Sequence, residues 1–148
     1  MPEQSAMERI VVRTSEIEWR PLGPGTSVKL LRVSAESGMW SMLLKMEKGA
    51  VFAPHKHLGP AEYYILEGQV DVGKGVIERA GDYGYEPMGT VHAATIALED
   101  SVMTFTSYGP IAFLDEQGQL LQVLGGDYLL QEQAQNPTLG HQKKVSAA

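Results

Sequence analysis

The sequence predicts a single all-β domain that folds as a sandwich or a barrel. Its 148 residues are enough for one continuous hydrophobic core but not for two. Roughly ten short apolar or alternating segments follow one another at close spacing, which is typical of sandwiches and barrels. The 16 glycines and 8 prolines are spread between these segments, as tight turns require. We expect an N-terminal arm over residues 1–27, the β domain over 28–135 and a flexible tail over 136–148.

The strand candidates are taken here in chain order. Ile10–Val12 predicts a short strand in the arm, and Pro21–Gly25 predicts a loop. Residues 28–34 and 39–46 flank the turn Ala35–Gly38 and predict a β-hairpin. The remaining candidates are short apolar or alternating segments bounded by turn residues, namely 63–72 with a break at Gly68, 75–87, 91–97, 102–108, 111–115 and 119–124.

A single helix is expected near the end of the chain. Residues 127–135 have a helical composition, with Asp127 as the predicted N-cap. Residues 136–148 show no periodic apolar pattern and predict a loose tail.

Composition excludes several classes of protein. The net charge of −6, with the basic residues scattered, argues against nucleic acid or a membrane surface as a partner. The absence of cysteine excludes disulfides and thiolate metal sites. No apolar run approaches the roughly 18 residues of a membrane span, and the first residues lack the pattern of a secretory signal. We therefore expect a cytoplasmic protein with a small-molecule substrate.

Three of the four histidines lie in a pattern that indicates a metal site. His55 and His57 are separated by one residue, so on an extended backbone they share a face and lie about 6.6 Å apart. Two imidazoles at this spacing can converge on one cation. His92 follows a turn that leads into a predicted strand and is the candidate third ligand. His141 lies in the predicted tail and is not assigned to the site.

Two stretches around these histidines resemble the cupin motifs. Residues 49–68 resemble the first motif, which reads Gly, five residues, His-x-His, three or four residues, Glu, six residues, Gly. Residues 81–92 are similar to the second, which reads Gly, five residues, Pro-x-Gly, two residues, His. The resemblance implies a cupin-type conical jelly-roll barrel that holds its metal through His55, His57 and His92, inside its wider end.

The first motif departs from the family pattern at its glutamate. Glu62 and Gly68 enclose five residues rather than six, and a change of one residue inverts the face of a strand. Counting back from Gly68 places Ala61 where the ligand glutamate of the family stands, and Glu62 on the same face as Tyr64. A bulge near residues 59–60 could restore Glu62. Because that bulge is an additional assumption, we expect Glu62 not to be a ligand.

This departure resembles one group of cupins. The residues from His55 to Ala61, followed by residues 81–92, are similar to the acetylacetone-cleaving and 2,4′-dihydroxyacetophenone dioxygenases, which use three histidines on non-haem iron and no carboxylate. Similar cupins also occur in anti-sigma factors. The resemblance implies one divalent metal, with Fe(II) favoured, although imidazoles also suit Zn, Ni, Co, Mn or Cu. It further implies a homodimer that pairs through residues 8–20.

The resemblance favours an Fe(II) dioxygenase that cleaves a C–C bond of a β-diketone or a hydroxyketone. Two alternatives stay open: a non-oxidative metalloenzyme (an isomerase, decarboxylase or hydratase), in which the metal is only a Lewis acid, and a cupin module that senses a small ligand.

Several side chains near the motifs are candidates for the surroundings of the metal. Glu86 either orients a ligand histidine, acts on a substrate proton or is an ordinary turn residue. Glu62, Tyr64 and Tyr85 are further pocket candidates, together with Tyr83, although aromatic residues in strands more often pack. The methionines either fill gaps in the barrel or line its pocket; they are Met39, Met42, Met46, Met88 and Met103.

Overall fold

The structure, a computed structural model, describes residues 9–135 and 143–145. Nearly all of its regular elements are strands, as the sequence predicts. They are β1 Arg9–Val11, β2 Arg20–Gly23, β3 Thr26–Val33, β4 Trp40–Met46, β5 Val51–Phe52, β6 His55–His57, β7 Ala61–Glu67, β8 Gln69–Asp71, β9 Ile77–Arg79, β10 Tyr83–Glu86, β11 Val91–His92, β12 Thr95–Ala97, β13 Ser101–Ser107, β14 Ile111–Leu114, β15 Leu120–Leu124 and β16 Lys143–Val145. One α-helix, α1, spans Gly126–Gln135, and a short 3-10 turn spans Thr14–Glu16.

Antiparallel pairing joins the strands of the described residues into four sheets. The largest has six strands in the order β10-β7-β13-β4-β3-β2. Two four-stranded sheets have the orders β11-β6-β14-β15 and β5-β12-β8-β9, and β1 pairs with β16. Adjacent strands of the largest sheet are in continuous register over most of their length, as in the pairing of β13 with β4 from Ser101↔Met46 to Ser107↔Trp40.

The core lies on the inner face of the largest sheet. Along β4 and β13 every second side chain is buried, which is the period of two that a half-buried strand requires. Trp40 and Met46 at the two ends of β4 are 0% exposed, and Phe105 of β13 packs against the Trp40 ring. This face forms one wall of the candidate site.

Most of the predicted strands are present with small changes at their ends. The predicted hairpin corresponds to β3 and β4. Two segments predicted as continuous strands are divided: 75–87 into β9 and β10, and 91–97 into β11 and β12. The first division is a turn in which Gly81 has a φ of +95°, a backbone conformation that favours glycine.

The structure differs from the sequence expectations in three details near the chain ends. Residues 20–23, predicted within the arm and its loop, form β2 at the edge of the largest sheet, where a proline such as Pro21 is tolerated. Residues 143–145 of the predicted tail form β16, while 1–8, 136–142 and 146–148 lie outside the described residues. The helix begins at Gly126, so Asp127 lies in its first turn rather than at the N-cap. No helix among the described residues is long and apolar enough to span a bilayer.

Candidate metal centre

The short strand β6 turns two histidines towards the interior. His55 is 4% exposed and His57 is 0% exposed, whereas Lys56 between them is exposed. This is the alternation of an extended backbone. Strand β11 pairs with β6 and places His92 directly opposite His55. The structure therefore brings together the three histidines that the sequence singles out.

The three imidazole rings form a nearly equilateral triangle. Their centroids are 4.9 Å apart for His55 and His57, 5.0 Å for His57 and His92, and 5.4 Å for His55 and His92. A ring nitrogen about 2.1 Å from a metal places its ring centroid about 3.2 Å from that metal. Two such rings at angles between a right angle and a tetrahedral angle then lie roughly 4.5–5.2 Å apart. Two of the observed distances lie within this range and the third, 5.4 Å between His55 and His92, is slightly longer, so the spacing suits three ligands around one ion.

Unpartnered nitrogen atoms in the cluster also fit a bound cation. The Nδ1 of His55 donates a hydrogen bond to the carbonyl of Ala53 at 2.9 Å, which leaves its Nε2 free of the backbone. Within the part of the chain that the structure describes, the Nδ1 of His57 and the Nε2 of His92 are buried without a hydrogen-bond partner, whereas the Nε2 of His57 and Oε2 of Glu86 contact each other. Buried polar atoms are rarely left in this state, because the lost hydration is costly. A divalent ion would satisfy them.

A carboxylate stands at the cluster, although the resemblance to three-histidine dioxygenases implies none. Glu86 Oε2 contacts Nε2 of His57, and Glu86 Oε1 lies 3.6 Å from Nε2 of His92. The ligand atoms of His55, His57 and Glu86 lie within 4.8 Å of one another. Glu86, one of the candidates for the surroundings of the metal, is placed there by the register of β10 against β7, directly opposite Ala61. The neighbouring strand supplies the carboxylate that β7 lacks.

The surroundings shift two of these groups. Burial lowers the pKa of His55, so its neutral, metal-binding form is favoured. Burial alone would raise the pKa of Glu86, but its contact with His57 and the nearby histidines outweigh this and hold the pKa below its usual value. Glu86 is therefore a carboxylate, the form that can accept a proton or face a cation.

Strand β7 divides its side chains between the interior and the outer surface. Ala61 and Ile65 are 0% exposed, and Tyr63 between them faces the interior. Glu62 points outward and accepts hydrogen bonds from the hydroxyls of Tyr83 at 2.7 Å and Tyr108 at 2.8 Å. Glu62 is thus turned away from the histidines, in the arrangement that the count back from Gly68 predicts.

The tyrosines named as pocket candidates do not line the cavity. Tyr64 is 43% exposed and Tyr85 is 58% exposed, because both occupy outward positions of their strands, and Tyr83 is also exposed. The interior tyrosine is Tyr63, which the sequence analysis did not select. The alternation of side chains along β7 could have identified it, because Tyr63 is two residues from the inward-facing Ala61 and therefore lies on the same face.

An apolar cavity of about 40 Å³ adjoins the cluster and is lined by His55, Tyr63 and Glu86. One water molecule occupies roughly 10–15 Å³ of such a cavity, so this cavity has room for a small, compact ligand. Methionine and phenylalanine side chains form much of the wall, namely Met42, Met46, Met103, Phe52 and Phe105. Three of the predicted methionines thus line the pocket, whereas Met88 is 69% exposed.

Comparison with known proteins gives this geometry a context. The acetylacetone-cleaving enzyme of Acinetobacter johnsonii is 32% identical over 106 residues, which are 68% of this chain and 69% of that enzyme. The crystal structure of a candidate acetylacetone dioxygenase from Methylibium petroleiphilum PM1 is similar with a TM-score of 0.76 at 30% identity, covering 84% of this chain and 92% of the other. An acetylacetone dioxygenase structure from Acinetobacter johnsonii has a TM-score of 0.72 at 26% identity, covering 82% and 87%.

These similarities confirm the cupin fold and the resemblance to acetylacetone-cleaving dioxygenases. The family profile described as the ChrR cupin-like domain matches residues 7–112, a range that includes both histidine motifs. The chain therefore belongs to the ChrR-like cupin family.

Proposed function

We propose that this chain is a metal-dependent dioxygenase that cleaves a C–C bond of a β-diketone or a hydroxyketone, with Fe(II) held by His55, His57 and His92. The observation that carries the proposal is the convergence of three imidazoles beside a small apolar cavity, with buried nitrogens of His57 and His92 that lack a hydrogen-bond partner among the described residues. The proposed class of substrate is supported by the similarity to the acetylacetone-cleaving enzyme, which is 32% identical.

The donor set suits this chemistry. An Fe(II) ion bound there would supply a Lewis acid for a chelating dicarbonyl and the electrons for a reaction with dioxygen. The chain supplies the surroundings. Its apolar wall, including Met42, Met103 and Phe105, excludes water from the substrate and strengthens electrostatic interactions within the cavity.

Glu86 has a positioning role in the proposed site. Its carboxylate contacts His57 and belongs, with His55 and His57, to a group of atoms that could reach one ion, so it would hold the His57 ring and lie at the ion itself. It also places a negative charge beside the ion, which partly offsets the full 2+ charge that three neutral imidazoles would leave. Its position at the cavity additionally makes it a group that can hold a proton.

The same carboxylate favours a second candidate function. A base beside a Lewis-acid site is the arrangement of an isomerase or a decarboxylase that stabilises an enolate without oxidation. The two functions differ in their need for dioxygen and for a redox-active ion.

Metal content and oxygen consumption test the proposal. We expect protein reconstituted anaerobically with Fe(II) to bind one ion per chain and to consume oxygen in step with the loss of a β-diketone or a hydroxyacetophenone. His57→Ala should lower the metal content at least about tenfold, because a buried ligand is lost. Lys56→Ala, on the exposed face of the same strand, is the matched control and should bind as the wild type does. Equal turnover by Zn-loaded protein without oxygen would instead establish the non-oxidative function.

A further inference from the structure

Tyr63 connects the cavity to a second acidic residue. Its ring lines the cavity, and its hydroxyl donates a 2.7 Å hydrogen bond to Oε1 of Glu78 on strand β9. The ring lies against Gly84, its partner in β10, where a Cβ atom would overlap the ring. The absence of a side chain at position 84 thus leaves room for the phenol to reach Glu78.

Glu78 lies on an edge strand and is partly exposed to solvent. Strand β9 is the last strand of its sheet, and the side chains on either side of Glu78, Ile77 and Arg79, are exposed. Glu78 itself is half-buried, and its Oε2 is buried with no hydrogen-bond partner among the described residues. The carboxylate therefore has unused capacity to accept a hydrogen bond or a proton.

The surroundings of Tyr63 favour the transfer of a proton through its hydroxyl. They disfavour a deprotonated phenol that would act as the base. Burial and the bond to Glu78 raise the pKa of Tyr63 far above the ordinary value of a phenol. Tyr63 therefore stays protonated at neutral pH, and it can accept a new proton only as it releases its own to Glu78. Glu86, the other acid at the cavity, is already in contact with His57.

We propose that Tyr63 and Glu78 form a relay that carries the acidic proton of the substrate out of the cavity. This inference rests on the proposed function, since a β-diketone must lose a proton to bind as an enolate. The C–H or O–H bond of the substrate breaks and leaves its electron pair on the enolate, while an O–H bond forms at the Tyr63 oxygen. The original hydroxyl proton of Tyr63 moves to Oε1 of Glu78, and the neutral Glu78 then releases it to water.

The experiment measures proton release without turnover. Fe(II)-loaded protein is mixed anaerobically with pentane-2,4-dione in a weakly buffered indicator solution, and proton release and enolate absorbance are followed together. We expect Tyr63→Phe and Glu78→Gln to slow both signals about 100-fold, since a positioned acid–base group contributes typically 10²-fold or more. Metal content should be unchanged in both variants.

The outer surface of the barrel provides matched controls. Tyr83 and Glu62 form a tyrosine–glutamate pair with the same 2.7 Å bond but no access to the cavity. Tyr83→Phe and Glu62→Gln should release protons at the wild-type rate.

A second substrate separates a relay from a structural role. A trifluorinated β-diketone is already ionised in neutral water, so it has no proton to lose on binding. Tyr63→Phe and Glu78→Gln should bind it at the wild-type rate, whereas a distorted cavity would slow both substrates equally and overturn the relay. Unchanged proton release in these variants, with wild-type oxygen consumption intact, would overturn the relay alone. A wild-type protein that neither releases protons nor consumes oxygen with any of these ketones would overturn the proposed function and the relay with it.

Discussion

Strand β7 carries two tyrosine–glutamate pairs on opposite faces. On the inner face, Tyr63 donates to Glu78, and on the outer face Glu62 accepts from Tyr83. Both bonds are 2.7 Å long, but one lies beside an apolar cavity and the other is open to solvent. Hydrogen-bond geometry alone therefore does not indicate function. Burial determines how much free energy of unfolding the loss of each bond would cost.

The two faces also differ in how they tolerate charge. The outer carboxylate of Glu62 keeps contact with water, and two phenols hold its pKa below the usual value. The inner position next to it, Ala61, is fully buried opposite Glu86. A carboxylate would therefore be stable on one face of this strand and unstable on the other unless a cation were present.

The largest expected effect follows from placing a carboxylate on the inner face. Ala61→Glu should destabilise the metal-free protein by roughly 3–5 kcal/mol, since an uncompensated buried charge is left near Glu86. Adding a divalent cation should recover most of that loss, because the new carboxylate faces the proposed site. Denaturant unfolding with and without metal measures both. Tyr64→Glu, on the exposed face, is the control, and equal losses in the two variants would show that the faces do not differ.

A smaller effect is expected when each phenol is removed. Tyr63→Phe should lower the free energy of unfolding by about 1–3 kcal/mol, because Glu78 is left without its donor in a partly buried site. Tyr83→Phe should leave it nearly unchanged, as for most surface substitutions. Denaturant unfolding of the metal-free proteins measures both. Adding Glu78→Leu to Tyr63→Phe should restore part of the loss, and a further loss would show that the buried carboxylate is not the cause.

The smallest effect concerns the pH dependence of the outer pair. The bonds from Tyr83 and Tyr108 lower the pKa of Glu62, so its stabilising contribution is present above the ordinary glutamate pKa and disappears as the pH falls through the lowered value. Glu62→Gln should therefore be slightly less stable than the wild type near neutrality, and the difference should shrink as the pH falls below the ordinary glutamate pKa. Melting temperatures of the two proteins from about pH 6 to about pH 3 measure this. A difference that grows on acidification would contradict the assigned sign.

The strand pattern and the histidine cluster could be predicted because both depend on local spacing. His55 and His57 share a face on any extended backbone, and the turn before His92 marks the next strand. The outward position of Glu62 followed from the odd spacing to Gly68. The division of residues 91–97 into β11 and β12 could not be read in the same way, since no glycine or proline separates the two strands.

Glu86 was among the candidates for the surroundings of the metal, but its contacts, like others between strands distant in sequence, could not be worked out from the sequence. The approach of Glu86 to the histidines depends on the register of β10 against β7, and the bond from Tyr63 to Glu78 depends on where β9 lies. Neither follows from local spacing. Tyr64 and Tyr85 were candidates because of their hydroxyl groups. The alternation of side chains that places Glu62 outward also places Tyr64 outward. Applying that alternation to every residue of β7 would have selected Tyr63.

The bare backbone at Gly84 links two positions that are 21 residues apart in the chain, because the Tyr63 ring occupies the space that a side chain there would need. The two residues should therefore vary together across evolution. A homologue with a larger residue at the position of Gly84 should have a smaller one at that of Tyr63. Such paired exchanges would identify, from sequence alone, the relatives that have lost this inward phenol.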